Sequence, residues 1–289
     1  MHNILVTGGN GQLGNELRIV VEEKDNINQY FFTDVAELDI TDKSTVSAYL
    51  ESHDIDFIIN CAAYTNVDKA EDDKENADFI NHIGPKNLAE ACKEREGFLI
   101  HISTDYVFDG TKNTPYVETD ETKPLGVYGE TKLRGEQAII NSGCEYVIIR
   151  TSWLYSAFGK NFLKTMQKLT AEKESIKVVF DQVGTPTYAG DLANVIHTII
   201  QKNDSEIKNQ IYHFSNEGVC SWYDFAVAIN EAFRHNCIVV PCNSDEFPSK
   251  VIRPNFSVLD KTKIKNSLKI KILHWKEAMT TCIRDLHTL

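Results

Sequence analysis

Tyr128 and Lys132 lie four residues apart in V-Y-G-E-T-K-L-R-G-E-Q (127–137). On a helix that spacing is one turn, so a phenol and an ammonium share a face. The pair suits proton delivery to a carbonyl oxygen as that oxygen takes on negative charge. A free phenol has a pKa of about 10, and a neighbouring ammonium stabilises the phenolate and draws the value towards working pH. Thr104, just past the run F-L-I-H-I-S (98–103), can donate a second hydrogen bond to the same oxygen. The spacing alone says little. With 11 tyrosines in a lysine-rich chain, about one Tyr-x-x-x-Lys arises by chance, and a surface pair is the bland alternative. Its meaning depends on the elements that position it.

Those elements start at Thr7-Gly8-Gly9-Asn10-Gly11-Gln12-Leu13-Gly14, which follows the strand N-I-L-V (3–6) and opens a helix over about 12–24. Glycines suit a tight turn whose backbone must approach a pyrophosphate, and the helix start offers unpaired N–H groups and a positive dipole end. A structural turn is the competing reading, but this placement favours a nucleotide. The candidate contacts are Gly8, Asn10, Gly11, Gln12, Leu13 and Gly14. Asp34, some twenty residues on, can accept hydrogen bonds from an adenosine ribose and would repel a 2′-phosphate. That leans towards NADH; Asp34 as a solvated loop acid leaves NADPH open. Asp39 and Ile40 follow. Asn60-Cys61-Ala62-Ala63-Tyr64 ends the third strand, where small side chains at 61–63 would let a cofactor lie on bare backbone, or would serve packing under a helix. Ser103 ends the next strand at the same edge, making Cys61, Ala62, Ala63, Tyr64 and Ser103 further cofactor candidates.

Short apolar runs alternate with helical stretches through the first half. Strands are predicted at 3–6, 30–33, 56–60, 98–103 and 145–150, and helices at about 12–24, 42–52, 73–95 and 128–142. Continuous apolar strands between helices predict an α/β fold: a Rossmann-type, doubly wound parallel sheet covered on both faces. Residues 1–150 form this dinucleotide-binding domain, with about 189–215 returning to it. Residues 151–289 form mostly a smaller, interleaved α/β substrate lobe. Its strand candidates are 176–180, 211–215 and 237–241, with helices at about 190–202, 221–235 and 275–287.

Composition narrows the function classes. A net charge of −12 disfavours nucleic acid or an anionic membrane as partner. No apolar run approaches the ~20 residues of a membrane span, and the opening M-H-N-I-L-V-T-G-G lacks the pattern of a secretory signal. The seven cysteines include no C-x-x-C, which predicts buried thiols in a reducing cytoplasm. The nine histidines form no H-E-x-x-H or comparable cluster, so no metal site is expected.

The motifs T-G-G-N-G-Q-L-G, N-C-A-A-Y-T-N-V-D-K-A-E, H-I-S-T-D-Y-V-F-D-G, Y-G-E-T-K and R-T-S-W-L-Y, in that order, resemble the extended short-chain dehydrogenase/reductases. Within that group the chain is similar to the dTDP-4-dehydrorhamnose reductase family. The similarity continues through D-Q-V-G-T-P-T (181–187), D-L-A (191–193) and R-P-N-F-S-V-L-D (253–260). The resemblance implies reduction of the C4 ketone of dTDP-4-dehydro-L-rhamnose by NADPH or NADH, with the proton from Tyr128. It also implies that Thr104 and Asp105 contact the sugar, while Lys132, by its own place one turn from Tyr128, can also hold the nicotinamide ribose hydroxyls. Trp153 would lie against the deoxysugar, or else be a core aromatic at the domain junction. Asn161 and Arg253 are candidates for the diphosphate, with an ordinary surface cation as the alternative for Arg253. Lys160 is read as solvated.

Members that form metal-bridged dimers carry an acid where this chain has Gly190, so the resemblance does not extend to that interface. Helices flanking the sheet remain the route to a homodimer. Two rival readings stand beside the reductase. One is a nucleotide-sugar epimerase or dehydratase of the same superfamily, which would place an acid–base pair after Thr104 where this chain has Asp105-Tyr106. The other is a non-catalytic regulatory subunit that keeps the nucleotide fold, as in methionine adenosyltransferase.

Overall fold

In the computed structural model, which describes residues 1–247 and 250–288, strand β1 (Asn3–Thr7) shows why its sequence has no polar face. Ile4 and Val6 enter one apolar cluster while Leu5 enters another. Helix α1 (Gln12–Lys24), β2 (Gln29–Thr33), α2 (Lys43–Ser52) and β3 (Phe57–Asn60) follow. Asp42 starts α2 by accepting from the Ser44 and Thr45 N–H groups. Short helices α3 (Val67–Ala70) and α4 (Lys74–Asp78) lead through a π-helical turn, Phe79–Ile83, into α5 (Gly84–Glu94). The single helix expected over 73–95 is therefore three segments. A π turn takes up one extra residue, and here the polar Asn81 is buried while Phe79 is exposed. Strand β4 (Phe98–Thr104), α6 (Val127–Ser142) and β5 (Glu145–Thr151) complete this half, with α6 stopped by Gly143 at φ +73°.

The second half contains β6 (Leu154–Tyr155), α7 (Phe162–Glu172), β7 (Ser175–Val179), β8 (Val183–Gly184), β9 (Thr187–Tyr188), α8 (Ala189–Lys202) and β10 (Gln210–Phe214). Then come β11 (Cys220–Ser221), α9 (Trp222–Ala232), β12 (Ile238–Cys242), α10 (Thr262–Leu268) and α11 (Trp275–Thr288). A capping box between Ser221 and Asp224 starts α9. Helices α3, α7 and α10 and the two-residue strands have no counterpart in the expectations above.

The main sheet has the order β10-β5-β4-β3-β1-β2, and every pairing is parallel. The chain leaves β1 for β2 on one side and returns to β3 on the other. The strand order thus reverses beside β1, opening a crevice at the carboxyl ends of β1 and β3. One face of the sheet packs on α1 and α8 through Leu17, Leu192, Ile196 and Ile199. The other packs on α2, α5 and α6 through Val46, Leu50, Leu88 and Ile139. A separate core holds the lobe, where Leu163, Met166, Phe225, Ile229, Trp275 and Met279 surround the two-stranded ribbon of β7 and β12.

All seven cysteines are free thiols. Among the described residues no helix is long and apolar enough to cross a membrane. A Cβ at Gly190 would lie 2.6 Å from the ring of Tyr188, which occupies the space that a side chain at 190 would need.

Candidate active site

A cleft of about 800 Å³ runs along the carboxyl edge of the sheet and ends against the lobe, within the size range of small-molecule sites. Its first part is main chain. Gly8 has φ +65°, and a Cβ there would sit 2.7 Å from the Ala62 nitrogen, so the β1 turn and the β3 turn touch backbone to backbone. A Cβ on Gly14 would lie 2.5 Å from the Gly8 carbonyl oxygen. Gly11 is the N-cap of α1 and supplies no capping side chain, which leaves N–H groups of the first turn for an anion. These features fit a dinucleotide diphosphate. Gly8, Gly11, Gln12 and Leu13 line this part of the cleft, as do Cys61, Ala62 and Ala63 opposite. Gly14 lies beneath the turn as a packing glycine.

Farther out the wall carries Asp34, Asp39 and Ile40, with Val35, Leu38 and Thr41. The Asp34 carboxylate accepts from the Asn10 N–H at 3.3 Å and the Val35 N–H at 2.8 Å. Asn10 therefore contributes a turn contact and lies outside the lining, as does Tyr64. The Tyr64 hydroxyl donates to Asp73 at 3.0 Å, and its N–H and carbonyl bond the Asn81 side chain at 2.8 and 3.1 Å.

Strand β4 and helix α6 build the chemical end. Ser103, Thr104, Asp105, Tyr128 and Lys132 all line the cleft. A Cβ on Gly129 would lie 2.2 Å from the Tyr106 carbonyl oxygen, so the close approach of α6 to the end of β4 depends on that glycine. Burial pushes the Tyr128 phenol up to about 12, a hydrogen bond with Thr104 acts against that, and Asp105 adds to it. This corrects the expectation that Lys132 draws the phenol towards neutrality. The Lys132 Nζ instead donates to the Ile102 carbonyl at 2.6 Å and lies 3.3 Å from His101 Nε2. Lys132 is 1% exposed. Burial holds its amine down at about 8, opposed by Glu136 and Cys61.

The Thr104 hydroxyl donates to Asp105 at 3.0 Å and accepts from the Tyr106 N–H at 3.2 Å. Asp105 is raised to about 6 by burial, offset in part by hydrogen bonds from Ser257 and Thr104. Ser103 points its hydroxyl at Glu136, one turn beyond Lys132. Arg150 grips the same carboxylate through two nitrogens at 2.7 and 2.9 Å. Both members of this pair are buried, so each depends on the other for compensation of its charge.

On the lobe side Trp153 has φ +49° and stacks on Trp222, with ring centroids 3.5 Å apart and planes 9° from parallel. A left-handed backbone is a strained choice for a tryptophan, and it brings both indoles to the cleft wall. Arg253 also lines the cleft, with its Nη2 2.8 Å from Asp68. Asn161 is reassigned. Its side chain caps α7 by accepting from the Lys164 N–H, and its amide donates to Gln12, Ser156 and Phe158. It lies outside the cleft lining, and its Gln12 contact ties the lobe to the glycine-loop helix.

Lys160, read as solvated, is exposed and also lines the cleft, and the sequence reading missed Trp222, read only as part of a helix. It also missed His101, which stands inside the quoted H-I-S-T motif. A histidine in the middle of an apolar strand was the available signal.

Over residues 1–288 the chain matches the family described as RmlD substrate binding domain. It is 39% identical to a dTDP-4-dehydrorhamnose reductase of Aggregatibacter actinomycetemcomitans, over 96% of this chain and 97% of that protein. A crystal structure of a dTDP-4-dehydrorhamnose reductase from Clostridium acetobutylicum is similar at 42% identity with a TM-score of 0.93, covering 99% of this chain and 100% of that one. The dTDP-4-dehydrorhamnose reductase of Bacillus anthracis, solved in complex with NADP, is 36% identical with a TM-score of 0.93, over 98% and 99% of the two chains.

Proposed function

Since the chain belongs to the RmlD family, and the three similar proteins above are dTDP-4-dehydrorhamnose reductases, we propose that it reduces the C4 ketone of dTDP-4-dehydro-L-rhamnose to give dTDP-L-rhamnose, using NAD(P)H. The observation that carries this reading is one continuous cleft lined by the glycine loop at one end and by Thr104, Tyr128 and Lys132 at the other.

The reduced nicotinamide, when bound, supplies the hydride. Gly8, Gly11 and the first turn of α1 would hold the diphosphate, Asp34 would meet the adenosine ribose, and Lys132 would hold the nicotinamide ribose. Tyr128 keeps its proton through neutral pH, because its pKa of about 12 favours the phenol. It therefore reaches the reaction as an acid and yields the proton as the carbonyl oxygen becomes an alkoxide. Thr104 adds a hydrogen bond to the same oxygen by turning its one hydroxyl proton there from Asp105, while the Tyr106 N–H keeps hold of the hydroxyl oxygen. The stacked indoles of Trp153 and Trp222 present an apolar wall to the deoxysugar. Arg253 offers its fork to the sugar nucleotide's phosphates, exchanging the Asp68 carboxylate for phosphate oxygens.

The test is to incubate the protein with dTDP-4-dehydro-L-rhamnose and each reduced coenzyme, follow the nicotinamide absorbance and identify the sugar. One coenzyme oxidised per dTDP-L-rhamnose formed is the expected result. An epimerised sugar with no net coenzyme consumption, or binding without oxidation, overturns it in favour of the epimerase or the regulatory subunit.

A further inference from the structure

Behind the Tyr128–Lys132 face runs a line of buried polar side chains that the reaction does not use directly: Thr7, Asn60 and His101. One main-chain group fixes the direction of its hydrogen bonds. The Asn60 Oδ1 accepts from the Ala62 N–H at 3.2 Å and from the Thr7 hydroxyl at 2.8 Å. A backbone N–H can only donate, so the Asn60 amide nitrogen faces the other way, 3.0 Å from His101 Nδ1. That nitrogen also only donates, which makes Nδ1 the acceptor and places the imidazole proton on Nε2. Nε2 lies 3.3 Å from Lys132 Nζ. An ammonium there would set one donor against another, whereas a neutral amine accepts the Nε2–H and still donates to the Ile102 carbonyl.

The surroundings agree. His101 is fully buried, and burial together with Lys132 holds its ring well below the usual imidazole range, in the neutral form. The titratable groups facing the lysine are His101 on β4, Cys61 just past β3, and Glu136 and Tyr128 on its own helix. Of these, Glu136 is the one charged group, and its carboxylate is taken up by Arg150 and Ser103.

We propose that His101 is a positioning residue for Lys132: its Nε2–H faces the Nζ folded against the β4 main chain, disfavours the ammonium and offers a hydrogen bond to the neutral amine in the coenzyme-free protein. The inference deepens the reductase reading and rests on it for its purpose.

The test uses the coenzyme-free protein. With ¹⁵N-histidine labelling, NMR should show His101 as the Nε2–H tautomer, unchanged between pH 5.5 and 9. An Nδ1–H tautomer or a protonated ring overturns the proposal with no variant needed. With ¹³Cε-lysine labelling, the Lys132 signal, identified by its loss in Lys132→Met, should titrate at about 8. In His101→Leu the midpoint should rise by roughly 0.5–1 pH unit, the worth of one net hydrogen bond. His101→Gln, which returns an N–H at the Nε2 position, should bring it back. An unmoved midpoint in His101→Leu overturns the proposal. If His101→Leu fails to fold, the tautomer measurement still decides. None of these readouts needs turnover. A chain that shows the expected tautomer yet reduces no keto sugar loses the reductase reading alone, while an active chain with the wrong tautomer loses only the role of His101.

Discussion

The two ends of the cleft are made from different parts of the chain. At the coenzyme end the main chain does the contacting, and the side chains matter by being absent: Gly8 against Ala62, Gly14 beneath the turn, and a helix start without a capping side chain. At the chemical end the side chains do the contacting, and a further layer of buried side chains holds them. Thr104 is braced by Asp105, Lys132 by His101 and the Ile102 carbonyl, Ser103 by Glu136, and Glu136 by Arg150. The difference teaches where each end is fragile. Adding atoms should damage the first and removing atoms the second.

Tyr128→Phe removes one oxygen from the chemical end. We expect kcat to fall by roughly 10²–10⁴ with coenzyme affinity nearly unchanged; steady-state kinetics and a coenzyme titration check this, and near-normal turnover would take the proton donor away from Tyr128. Arg150→Met strips the buried partner from Glu136 and should lower stability by roughly 3–5 kcal/mol in urea unfolding. A variant as stable as the parent would show that the bracing layer matters little. Gly8→Ala adds one carbon where the backbone is left-handed and crowded. It should lose roughly 1–3 kcal/mol of stability and weaken coenzyme binding while sparing the fold. Unchanged binding would break the contrast between the two ends.

Two smaller effects sharpen the comparison at the coenzyme end. Glu16, on the buried side of the glycine-loop helix, is raised to about 7, first by burial, with the Tyr188 hydroxyl opposing and Asp285 adding to the rise. A raised carboxyl contributes stability that is complete below its unfolded value of about 4.5 and is lost as pH rises through about 7. Wild-type Tm should therefore fall between pH 5 and pH 8 by more than that of Glu16→Gln. The corresponding difference in unfolding free energy should reach roughly 1–3 kcal/mol, and parallel Tm profiles would refute it. Asp34→Ala should shift the NADH-to-NADPH preference towards NADPH by a few-fold, measured as a ratio of kcat/KM values. A fixed ratio would remove Asp34 from the ribose.

The sheet was legible because both of its faces are covered: a strand such as Ile4-Leu5-Val6 must be apolar throughout, and the glycine turn after it marks the crevice. The chemical residues were legible by their order along the chain, but their electrostatics were not. Lys132 and Tyr128 share a helical face, yet what the lysine bonds is set by His101 and Ile102, thirty residues away in sequence. The lobe was obscure because β6, β8, β9 and β11 are two residues long and carry no period. Asn161 misled for a related reason. An asparagine before an apolar-periodic run marks a helix start as well as it marks a ligand, and α7 with its buried Leu163, Met166 and Thr170 was the missing context.

The π turn at Phe79–Ile83 has a mechanical corollary. By facing Asn81 inward, it lets one side chain bond the Tyr64 N–H, the Tyr64 carbonyl and the Thr131 hydroxyl, between Tyr128 and Lys132 on α6. The turn after β3 that lines the cleft is thereby yoked to the helix bearing Tyr128 and Lys132, and a displacement of either drags the other with it.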